Sequence, residues 1–216
     1  MQIFFKNLYQ IMYNFYMKKL FKILVLALLY IYSPSYADEI SEFEIEGMTV
    51  GDSLLNYVSK KKAENLLKSS PLTNWYPNKS FAVIGLELEN FKTYDDVGVI
   101  IKPNDNNFKI YALEGTIYYG KNISQCLNDQ KKISSDLKNF FEKGTYRFFE
   151  SPNQDYIDDK TGESKVHYMD YYFSDNSAVR VICWDYSDKF LEKGYQNSLA
   201  VAVNSKHFME WINKNM

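Results

Sequence analysis

Two cysteines constrain this chain more than any other pair of residues, because the segments around them have different periods. Ile123, Cys126, Ile133, Leu137, Phe140 and Phe141 recur at mostly helical spacing. That predicts a helix with Cys126 on its apolar face. Val179, Val181 and Cys183 alternate along the chain, with Arg180 on the opposite side, as in a half-buried strand. Both thiols are thus expected in the gap between a helix and a sheet. A disulfide between Cys126 and Cys183 is the default in an oxidising compartment. Two free buried thiols are the alternative.

The N-terminal sequence indicates that compartment. Lys18, Lys19 and Lys22 follow Met17 and form a positive segment. Ile23 to Tyr32 is an uncharged apolar run of ten residues. Pro34 breaks it, and Ser35 and Ala37 offer small residues at the −3 and −1 positions of a signal-peptidase site. Residues 17–37 therefore read as a signal peptide cleaved before Asp38. Retention as an anchor is the other reading. The run from Leu20 to Tyr32 reaches only thirteen residues with Lys22 included, against about 20 for a membrane span. Residues 1–16 carry one charge, Lys6, and are interrupted by Asn7, Gln10 and Asn14. They read as an upstream extension ahead of a start at Met17. The expected location is periplasmic or secreted, with no membrane attachment after cleavage.

Removal of residues 1–37 takes four lysines and no acid, leaving 21 basic against 27 acidic residues, a net charge of −6. Such a surface argues against nucleic acid and anionic lipid as partners. The remaining 179 residues suffice for one domain with a sizeable core. Subdomains at 38–121 and 122–216 are possible within it. Abundant Tyr and Phe, with clustered Val and Ile, favour a sheet-rich core.

Periodicity predicts an α+β fold of two helix-plus-antiparallel-meander units and a C-terminal helix. Thr49 and Asp52 have capping-box spacing, so a helix is expected from there through Val50, Leu54 and Val58. Ser59 can cap a second, carrying Ala63, Leu66 and Leu67, with Pro71 as its stop. Trp75, Tyr76 and Pro77 form a connector. Strands follow at Ala82–Glu89, Val97–Lys102 and Phe108–Tyr119, the last with Gly115 as an expected bulge. A helix over Ile123–Lys143 ends at Gly144. Thr145–Glu150, His167–Phe173, Ala178–Asp185 and Leu199–Val203 form the second set of strands. Ser205 caps a final helix with Phe208, Trp211 and Ile212 on one stripe.

The segment Ile45-Glu46-Gly47-Met48-Thr49, with the two-helix stretch and three strands after it, resembles the exported BamE/SmpA and beta-lactamase-inhibitor-protein-like family over residues 43–119. The resemblance implies a protein that acts by binding other proteins. Outer-membrane members of that family are usually lipoproteins, whereas the first cysteine here is Cys126. No binding residue carries over.

Candidate chemistry is sparse. Gly-x-Ser-x-Gly and P-loop motifs are absent. His167 and Asp170 lie three positions apart on one strand, so they project from opposite faces. His207 falls in the first turn of the last helix. The 153–163 loop brings Asp155, Asp158, Asp159 and Glu163 near a turn glycine, a candidate calcium loop without EF-hand spacing. Tyr168, Asp170 and Tyr172 share one strand face and form the candidate binding face. The function expected is non-enzymatic binding of another protein or an envelope component, with no cofactor. The alternative is a metal-dependent ligand binder or hydrolase using His167, Asp170 and the 153–163 loop. Intact mass spectrometry of the exported protein should give a chain beginning at Asp38, and a mass that includes residues 17–37 would overturn the cleaved signal.

Overall fold

The computed structural model describes residues 40, 42–86, 91–141 and 145–216. The signal peptide, the upstream extension and the Gly144 stop lie outside the described residues. In chain order the elements are β1 (Glu44–Ile45), β2 (Met48–Thr49), a 3-10 turn (Leu54–Asn56), α1 (Lys60–Ser69) and β3 (Thr73–Trp75). Next come a second 3-10 turn (Pro77–Lys79), β4 (Ala82–Leu86), β5 (Asp96–Ile101), β6 (Ile110–Gly120) and α2 (Ile123–Phe140). They are followed by β7 (Tyr146–Asp155), β8 (Lys165–Phe173), β9 (Ala178–Asp185), α3 (Asp188–Leu191), β10 (Asn197–Asn204) and α4 (Lys206–Asn215).

Alternating apolar residues build an eight-stranded antiparallel sheet in the order β3-β4-β5-β6-β10-β9-β8-β7. It is two four-stranded meanders. The first runs β3 to β6, then α2 crosses to the far edge, and the second runs β7 to β10 back to the middle. There β10 pairs with β6, from Asn197 opposite Gly120 to Asn204 opposite Ala112. All eight residues of β10 are buried. The expected α+β class and paired meanders are present. The sheet is continuous between residues 38–121 and residues 122–216 through the β6–β10 pairing.

One sheet face packs under β1–β2, α1 and α2. Its core includes Ile84, Val99, Leu113, Val181, Leu199 and Val203. The Cys126–Cys183 disulfide lies within it and ties α2 to β9, with the Cα atoms 6.1 Å apart. Two buried polar residues continue the Cys126 stripe of α2. Gln130 Nε2 donates to the carbonyls of His167, 2.8 Å, and Val181, 2.9 Å. Ser134 shares a 2.6 Å hydrogen bond with the buried Tyr171 hydroxyl. Removing a partner from such a buried group costs about 1–3 kcal/mol. On the opposite sheet face, Phe208 of α4 packs against Phe81, Ile100 and Ala112.

Several local expectations are corrected. The segment from Thr49 is a hairpin and a 3-10 turn rather than a helix. Glu46 and Gly47 both take positive φ, 51° and 76°, the signature of a tight two-residue hairpin loop. Asp52 still accepts from the Thr49 amide at 3.3 Å, but the backbone around it bonds to β6 through Gly51 and Ile110. Thr73–Trp75 is an edge strand, not a connector. Gly115 pairs regularly with Val97 and Val201, with no bulge. It is glycine because the Tyr94 ring lies over it, and a Cβ there would meet ring carbons at 2.6 Å. Phe140 is 55% exposed rather than core, and its ring meets Phe43 edge to face.

The disulfide spans 57 residues, and a loop of that size stabilises by about 4 kcal/mol in the chain-entropy model. Urea unfolding with and without a reductant should show a loss of that order. An unchanged midpoint would refute a structural role for the bridge.

Candidate functional site

Strand register sets the candidate site on the face opposite α2. Asp170 of β8 lies opposite Arg180 of β9, then Ala202 of β10, Glu114 of β6 and Gly98 of β5. The next row reads Tyr168, Ile182, Ala200, Thr116 and Asp96. One face therefore collects charge and aromatic rings around two short alanines. α4 covers one end of this face, and the segment after β9 closes over the other.

The expected trio Tyr168, Asp170 and Tyr172 does meet here, organised by a residue that the sequence left on the side. Arg180 Nε donates to Asp170 Oδ1 and Nη2 to Oδ2, both at 3.0 Å. The Tyr172 hydroxyl donates to Asp170 Oδ2 at 3.1 Å. The guanidinium stands over the Tyr168 ring, 5.0 Å from its centroid. The Asp170 side chain is 7% exposed and that of Arg180 28%. Burial works against the charge on Arg180. The Asp170 carboxylate outweighs it and holds the Arg180 pKa above its ordinary value. Burial raises both tyrosines, with Arg180 opposing in each case. Asp170 is thus a scaffold for two rings and a cation, with its oxygens committed.

Beside this cluster lies a cleft of about 630 Å³. Glu114, Asp96 and Thr116 lie along its floor, with Tyr118 and Trp184 beside them. Tyr186 and the Lys193–Gln196 segment form its outer wall. Burial pushes the Glu114 carboxyl above the usual range, and nearby Asp96 adds to this while Arg180 opposes it. Burial raises the Tyr118 hydroxyl, and the nearby Asp96 carboxylate adds to this. A separate cavity of about 510 Å³ lies between β7, the β8–β9 turn and α4, lined by Phe148, Phe149, Tyr172 and Met209 among others.

The residues of the alternative chemistry are placed apart. His167 sits on the α2 side of the sheet, opposite Cys183. Its Nδ1 accepts from the Asn153 amide at 3.4 Å, and its Nε2 is buried without a partner among the described residues. Burial holds its pKa below the ordinary value, with Asp185 opposing. Asp170 faces the other way. His207 is exposed, its ring edge-on to Tyr111.

In the 153–163 segment, Asp155 closes β7 and pairs with Lys165 at 2.6 Å. Asp158 accepts from the Tyr156 hydroxyl, and Glu163 is exposed. Asp159 is turned inward. Its oxygens accept from Thr161 Oγ1, 2.6 Å, Ser164 Oγ, 2.5 Å, and Ser187 Oγ, 3.2 Å. The Ser164 and Thr161 hydrogen bonds hold its carboxyl well below the usual range. Asp159 therefore ties the β7–β8 loop to the chain after β9. Among the described residues, no three His, Cys, Asp or Glu side chains gather in a metal-binding group.

Sequence reasoning missed Arg180, Glu114 and Asp96. Each sits at an outward position of a strand, and only the pairing of β5, β6, β10, β9 and β8 makes them neighbours. No family model, curated protein or solved structure matches the chain.

Breaking a buried ion pair from one side costs about 3–5 kcal/mol. Asp170→Ala should lose a sizeable part of that in urea unfolding, because it leaves Arg180 uncompensated. Asp170→Ala with Arg180→Met should recover much of the loss. Equal stability of Asp170→Ala and the parent would show that the pair does not organise this face.

Proposed function

We propose that this is an exported, non-catalytic protein that binds another protein or an envelope component through the sheet face bearing Tyr168, Arg180 and Tyr172. The observation that carries this is the arrangement of that face. Aromatic rings are held by a bidentate ion pair whose carboxylate already accepts three hydrogen bonds. Such a group is suited to presenting a rigid surface rather than to moving protons. Tyr and Arg are also the side chains that supply most binding energy where interfaces have been dissected. Phe149, 65% exposed on the neighbouring strand, extends the apolar surface.

One further feature supports export: the Cys126–Cys183 bridge is typical of oxidising compartments.

Photo-crosslinking from the native compartment tests the reading. A benzophenone side chain placed at Tyr168 or Phe149 should give a discrete adduct. The same group at Lys131, on the exposed side of α2, should not. Adducts from neither face position, or equally from Lys131, would overturn it.

A further inference from the structure

We infer that the cleft beneath the Lys193–Gln196 segment is a binding site for a small organic cation, an ammonium or guanidinium group held between Glu114, Asp96 and aromatic rings. This goes beyond binding through Tyr168 and Tyr172, since neither lines the cleft. A failure of the crosslinks above would leave it standing.

The argument begins with register. Asp96 lies opposite Thr116, and Glu114 lies opposite Gly98. The two carboxyl residues are therefore diagonal neighbours on one face of adjacent strands, about 7–8 Å apart at the backbone and within mutual reach of long side chains. One cationic group fits between them. Gly98 places no side chain beside Glu114.

Charge is the second step. Glu114 is half-buried on the cleft floor, yet among the described residues its carboxyl has neither an ion-pair partner nor a hydrogen bond. The nearest cation along its row, Arg180, is bidentate to Asp170. Lys193 lines the cleft, but its ammonium is held over the Phe190 ring, 4.8 Å from the centroid. A carboxylate that has lost part of its water without gaining a paired cation is costly, and an incoming cation supplies the missing partner.

The third step is shape and surface. A cleft of about 630 Å³ is in the range of small-molecule sites, about 300–1,000 Å³. Its walls include Tyr118, Trp184, Tyr186 and Tyr195. Ring faces attract ammonium and guanidinium groups, most strongly when desolvated. Carboxylates and ring faces in one cleft select positive charge over the neutral and anionic ligands that aromatic walls alone would accept.

Calorimetric titration of the oxidised protein decides the matter, with near-ultraviolet circular dichroism to confirm that each variant is folded. The probes are agmatine, the blocked tripeptide acetyl-Gly-Arg-Gly-amide, and the same tripeptide with neutral citrulline for arginine. Saturable binding of agmatine or the arginine peptide is expected, about tenfold or more tighter than the citrulline peptide. Binding of agmatine alone identifies a free cation as ligand, and preference for the peptide identifies a cationic side chain of a partner. Glu114→Gln and Asp96→Asn should each weaken binding about tenfold, and Asp136→Asn on α2 should not. Equal affinity for the arginine and citrulline peptides, no saturable binding of either cation, or undiminished binding by both folded cleft variants would overturn the inference.

Discussion

The β6–β10 pairing is the contact on which the rest of the structure depends. It turns two four-stranded meanders into one eight-stranded sheet and buries every residue of β10. Without it each half would present a long apolar edge strand, a ready template for unwanted pairing. With it, Glu114 on one half comes within a single alanine of Arg180 on the other. The surface chemistry of the molecule is thus a product of the seam, and neither meander carries it alone.

The helix layer serves that seam from behind. α2 leaves the end of β6 and crosses to deliver the chain to the far edge, so its position decides where β7 begins. It is held by one covalent bond and by side-chain hydrogen bonds to the sheet. Gln130 is the more informative of these contacts. Its amide bonds carbonyls on two neighbouring strands, β8 and β9, and fixes the helix in both directions along the sheet plane. Apolar packing is non-directional, and an amide pair supplies the direction.

Much of this fold is legible in the sequence, for identifiable reasons. Strands with strict alternation, such as Val179–Cys183 and Leu199–Val203, show their inward faces directly. The cysteines mark both sides of one interface. The hairpin at Ile45–Thr49 is hidden because its residues also satisfy the spacing of a helix start, and only the positive φ at Glu46 and Gly47 separates the two. Gln130 and Ser134 are hidden because polar residues on a helix stripe read as interruptions. β3 is too short for a pattern. The site is least legible of all. Tyr168, Asp170 and Tyr172 share a strand and are visible as a set, whereas Glu114 and Asp96 come from one meander and Arg180 from the other, and only the β6–β10 pairing after the crossover brings them together.

The central pairing also sets the order in which the molecule can be made. Residues 112–120 lie along β5 on one side but gain their partners on the other side only when residues 197–204 arrive, so the middle of the sheet is closed by nearly the last segment to be synthesised. Until then β6 is an edge, and the first meander waits with it open. Such non-local closure slows folding and prolongs the exposure of a sticky intermediate. During folding, the hazardous interval falls between the formation of the first meander and the docking of β10. A truncation that spares the whole first meander but removes β10 would remove the means of ending that interval.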